Sequence, residues 1–93
     1  MAKKKEIRLK SMTFDQTREF SRLSTLLDLS CVAIPNNDKI TFSSVKITSN
    51  KPMTNENKDI YRNWFRKHHK TELEFEVSNK NKDICVTFIS LKA

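Results

Sequence analysis

The strongest constraint on folding is the spacing of apolar residues, which switches between two and about 3.6 along this 93-residue chain. A period-two run favours a strand and a period-3.6 run favours a helix. "EIRLKSM" alternates, with Ile7 and Leu9 on one face and Arg8 and Lys10 on the other, and so predicts a half-buried strand. In "TFDQ", Thr13 is an N-cap with Gln16 three residues on, the pattern of a capping box. Phe20, Leu23 and Leu27 then form one stripe with Leu26 beside it, which predicts an amphipathic helix over residues 14 to 28.

"SCVAI" is short, apolar and β-prone, and "PNND" behind it is a turn signal. In "KITFSSVKIT", Ile40 and Phe42 share one parity while Val45 and Ile47 share the other. A bulge at Ser43 and Ser44 puts all four on one face. Pro52 stops this run, and Thr54 or Asn55 caps a second helix through "KDIYRNWFRKHHK". "TELEFEV" alternates again, with Leu73, Phe75 and Val77 inward and Glu72, Glu74 and Glu76 outward. "SNKNK" reads as a hairpin loop, and "DICVTFISL" is apolar on both parities, as a covered central strand is. The expected fold is one α+β domain over residues 1–93, in the order β-α-β-β-α-β-β. Two helices lie on one face of a mainly antiparallel sheet, the ferredoxin-like plan plus a C-terminal strand. Residues 1–5 are expected to form a flexible basic arm. Another arrangement of the same elements, or a homodimer that completes the fold, is the alternative.

Charge narrows the choice of partners. The formal net charge is +7 and the pI about 9.7, which favours a polyanion: nucleic acid (DNA or RNA), or an acidic protein surface. Glycine is absent, which excludes the glycine-built phosphate loops of P-loop, dinucleotide and kinase-type sites. Cys31 and Cys85 both sit in apolar stretches and are expected as free buried thiols in a reducing compartment, with a disulfide as the lesser alternative. No apolar run reaches membrane-span length, and the N-terminal lysines have no hydrophobic region behind them. The expected location is therefore the cytoplasm. Lysine outnumbers arginine 13 to 5 beside abundant asparagine and isoleucine, a bias that an AT-rich genome produces. A virus or mobile element is a suitable source, which would put the protein in host cytoplasm.

"KDIYRNWFRKHHK" mixes aromatics with cations, and a helical wheel separates them. With Ile60 at zero, Trp64, His68, Tyr61 and Phe65 fall within an arc of about 140°. These five are expected to face the core, with His68 hydrogen-bonded at its boundary. Arg62, Arg66, Lys67 and Lys70 occupy the remaining side, with His69 at its border. That cationic side is the candidate phosphate-contacting surface, assisted by Lys3, Lys4, Lys5, Arg8 and Lys10 of the N-terminal segment. A base-stacking platform is disfavoured, because its rings would need to be exposed.

Metal and catalytic readings are weak. Cys31, Cys85, His68 and His69 have zinc-ligand atoms, but adjacent histidines on a helix diverge by about 100°, and no close-spaced cysteine pair exists. No cofactor or metal is expected. His69 with Arg66 can be drawn as a ribonuclease pair, as can almost any basic helix. The expected function is a small non-enzymatic nucleic-acid-binding protein. The alternative is a protein-binding inhibitor or adaptor that blocks a host enzyme. The glutamate row is read as protection of an exposed strand, or as cross-strand partners for lysines.

Overall fold

The structure, a computed structural model, describes residues 9–78 and 84–93. The elements follow the order read from the sequence: β1 (Leu9–Lys10), α1 (Phe14–Leu26), β2 (Ser30–Pro35), β3 (Phe42–Ser49), α2 (Asn55–His69), β4 (Leu73–Ser78) and β5 (Cys85–Lys92). Lys3, Lys4, Lys5 and Arg8, the arm at 1–5, Ile7, and most of the "SNKNK" loop lie outside the described residues. Among the described residues, no helix is long and apolar enough to cross a membrane.

Apolarity on both parities puts β5 at the centre of the sheet. β4 pairs along one of its edges, from Leu73 opposite Leu91 to Ser78 opposite Val86. On the other edge β3 pairs from Val45 opposite Ile89 to Ser49 opposite Cys85, and the short β1 continues that edge at Leu91 and Lys92. β2 closes the far side against β3, and every pairing is antiparallel. The strand beyond the ferredoxin-like set is thus the spine of the sheet. Cys31 on β2 and Cys85 on β5 have β3 between them, and both are free thiols. Two strand spacings, about 9.6 Å, exceed what a disulfide spans.

One sheet face meets both helices. Val45 and Ile47 of β3, Leu73 of β4, and Ile89 and Leu91 of β5 form the core with Phe20 and Leu23 of α1 and Tyr61 and Phe65 of α2. The bulge falls where the serines predict it. Ile34 pairs with Ser44 but Pro35 pairs with Phe42, leaving Ser43 as the extra residue. Phe42 thereby packs with Val45 and Ile47, whereas Ile40 stays outside the strand and exposed. Leu9 is also exposed, contrary to its expected inward face, and Met12, bridged to Phe42, is buried in its place.

The helix ends form as their sequences dictate. The Thr13 hydroxyl accepts from the Gln16 amide while the Gln16 side chain accepts from the Thr13 amide, and Thr54 caps α2 through the Asn57 amide. Without glycine, the left-handed positions fall to Asp28, Lys39 and Lys70. Lys39 is supported by the Asp38 carboxylate, which accepts from the Ile40 and Thr41 amides. Those bonds hold the Asp38 carboxyl below its ordinary pKa.

Candidate polyanion-binding surface

The buried stripe of α2 is rotated from the one the wheel predicts. Tyr61 and Phe65 are fully buried, but Ile60 is 41% and Trp64 38% exposed, and His68 is exposed as well. On the same wheel the covered arc centres near about 140° rather than about 70°. The neighbouring elements account for this. Phe20 of α1 stacks on Phe65 with ring centroids 4.1 Å apart and approaches Tyr61 at 5.8 Å. On the other flank, Arg62 lies 4.9 Å and Lys58 5.9 Å over the Phe75 ring of β4. Their aliphatic stems and flat cationic groups cover apolar surface that a sequence wheel scores as solvent-facing. Ile60, Trp64 and His68 are left as an outward row, so the core assignment of these three does not stand.

The five candidate residues on and beside α2 divide by how their charge is engaged. Arg62 donates to Asp59 at 2.8 Å, one helical turn away. Arg66 grips the Glu72 carboxylate with both ends of its fork, Nε at 2.9 Å and a terminal nitrogen at 3.1 Å. This pairing raises the Arg66 pKa above its already high ordinary value and lowers that of Glu72. His69 is half-buried: its ring stacks on Phe65, and Nε2 lies 2.5 Å from Glu19 of α1. It therefore belongs to the helix–helix contact rather than to the outer surface. Lys67 and Lys70 are exposed and make no ion pair with a described residue.

The tertiary structure also joins two basic segments that the sequence leaves far apart. The Lys10 ammonium donates to the Thr71 hydroxyl at 3.1 Å, next to Lys70 at the end of α2. Lys92 of β5 pairs with Leu9 across the ladder and contacts Glu74 at 3.9 Å, a diagonal cross-strand pair of the kind expected for the glutamate row. Lys10 and Lys70 are thus brought together at the C-terminal end of α2, with Lys67 one turn back along the helix and Arg66 paired to Glu72.

Sequence reasoning missed the residues facing α2 from α1. Glu19 accepts from Trp64 Nε1 at 2.6 Å through one oxygen and meets His69 through the other. Arg22, Leu23, Leu26 and Trp64 with Glu19 line a groove of about 190 Å³ between the helices. Leu26 was visible as a fourth apolar residue off the main α1 stripe, but nothing in sequence pairs it with Trp64.

A cavity of about 460 Å³ near the α2 N-terminus has Asp28 and Lys51 as its only ionisable lining side chains. Among the described residues, no group of three or more His, Cys, Asp or Glu is placed to hold a metal ion. No family model, curated protein or solved structure matches the chain.

Proposed function

We propose that the protein is a non-enzymatic nucleic-acid-binding module that acts through phosphate contacts at the cationic end of α2. The observation behind this reading is the Lys10–Thr71 hydrogen bond, which sets Lys10 beside the exposed Lys70 and Lys67 of a distant stretch of the sequence. Exposed lysines suit phosphate contact, because each acts as a mobile point charge that releases condensed counterions. Arg62 and Arg66 contribute less, since an incoming phosphate must compete with Asp59 and Glu72. Lys3, Lys4, Lys5 and Arg8 precede Lys10 in the chain and are the further cations assigned to phosphate contact.

Salt titration of binding to duplex DNA and duplex RNA tests the assignment. Lys67→Glu with Lys70→Glu is expected to reduce the slope of log affinity against log salt by about 2, close to one phosphate per lysine. Arg62→Glu with Arg66→Glu is expected to change it less. An unchanged slope in the lysine pair rejects the site. An acidic protein surface is the second candidate partner, favoured by the exposure of Lys67 and Lys70, which make no ion pair with a described residue and suit carboxylates as they suit phosphates. Capture of one stoichiometric protein that survives nuclease treatment would favour that inhibitor or adaptor reading.

A further inference from the structure

The exposed row of α2 adds a base-binding element to the phosphate surface. We infer that the groove between α1 and α2 receives a nucleobase of single-stranded nucleic acid, stacked against Trp64. The inference rests on the polyanion reading above and specifies its ligand.

Three observations support it. First, Trp64 is 38% exposed, in the outward row that it forms with Ile60 and His68. Its indole is held from two sides: Nε1 donates to Glu19 at 2.6 Å, and the His68 ring packs 4.1 Å from it. A fixed aromatic ring loses little entropy on stacking, and stacking tolerates any base because every base has a π-face. Second, the groove beside the ring is open and lined on the α1 side by Leu23, Leu26 and Arg22, with Leu26 82% exposed. An apolar wall facing an indole suits a flat heterocycle, and Arg22 supplies a planar cation able to stack or to reach a phosphate. Third, cations flank the ring on both helices. Lys67 is three residues from Trp64, on the adjoining helix face, while Arg22 makes no ion pair with a described residue. Both oxygens of Glu19, the acid lining the groove, are already engaged by Trp64 and His69.

A duplex keeps its bases stacked on one another and cannot offer one to the groove without unpairing it. The expected ligand is therefore a single strand, with its backbone running past Lys67 toward Lys70 and Lys10.

Trp64 is the chain's one tryptophan, so intrinsic fluorescence reports on the groove directly. The unmodified protein is titrated with oligo(dT), oligo(U), a duplex of equal length, and inorganic polyphosphate. The expected result is quenching by one or both single strands, the two arms separating DNA from RNA, and little quenching by duplex or polyphosphate. Trp64→Ala is expected to weaken single-strand binding about tenfold with the salt slope kept. Trp64→Phe, which retains a stacking ring, is expected to retain most of the affinity. Single-strand binding that neither quenches Trp64 nor weakens in Trp64→Ala overturns the inference. If duplex and polyphosphate bind with a steep salt slope while Trp64 stays silent to every single strand, only the base site fails. If no nucleic acid binds at all, the phosphate reading fails with it.

Discussion

Tyr61 and Ser24 share a buried hydrogen bond whose direction a third group sets. The Ser24 hydroxyl donates to the Phe20 carbonyl at 2.7 Å, so at 2.7 Å from Tyr61 it accepts the phenolic proton. Removing either partner therefore has unequal consequences. Tyr61→Phe loses one bond and leaves Ser24 satisfied, at a cost of about 1 kcal/mol. Ser24→Ala strands a phenol that is 0% exposed, and is expected to cost more, about 1–3 kcal/mol. Equal losses in denaturant unfolding would contradict the assigned direction. Burial, only partly offset by Ser24, raises the Tyr61 pKa above 10.0. The folded state thus holds this proton longer than the unfolded one. Stability is fully present below the unfolded phenol value of about 10 and falls as pH rises beyond it. Tyr61→Phe should remove that part of the alkaline loss.

At the scale of the element, α2 shows how a neighbour chooses among apolar faces. Five ring or aliphatic side chains offered an arc of about 140°, and any part of it could have been buried. Phe20 engages Tyr61 and Phe65, while Phe75 takes the stems of Lys58 and Arg62. The rotation predicts a sharp contrast between two large-to-small changes. Phe65→Ala is expected to cost about 3–5 kcal/mol, as for a filled core site. Ile60→Ala is expected to cost about 0.5 kcal/mol, as for a surface position. Comparable losses in urea titration would restore the stripe that the sequence alone suggests. β4 keeps its alternation only in part: Leu73 is buried, Phe75 half-buried, and Glu72 and Glu76 exposed, as read, but Val77, expected inward, is 50% exposed near the end of the strand.

For the whole molecule, the ion pairs do little to balance a formal charge of +7. Arg62–Asp59, Arg66–Glu72 and Lys92–Glu74 are surface pairs, which water and salt weaken. Self-repulsion at this net charge is expected to outweigh them. Raising sodium chloride from a few millimolar to about 0.15 M is therefore expected to raise the melting temperature, because screening shortens the reach of that repulsion to about 8 Å. A melting temperature that falls over this range would show that the pairs contribute more than the repulsion removes. The same screening weakens polyanion binding, so stability and affinity should move in opposite directions with salt.

The sequence by itself determined the order of elements, the N-cap at Thr13, the second cap to within Thr54 or Asn55, the bulge to within Ser43 and Ser44, and the inward parity of Leu73 and Phe75 on β4. Each is set by neighbours within a few residues: a hydroxyl three positions from an amide, or side chains alternating about a pleat. It also identified β5 as the central strand, since a strand apolar on both parities has no face suited to water. Only the tertiary structure decided which part of the α2 arc is buried, that His69 belongs to Glu19, that Arg66 is held by Glu72, and that Lys10 lies beside the end of α2. These outcomes depend on contacts between residues that are far apart in the chain or lie on different elements. No local period encodes them, because the energy of each resides in a partner that only the folded sheet and its two helices bring within reach.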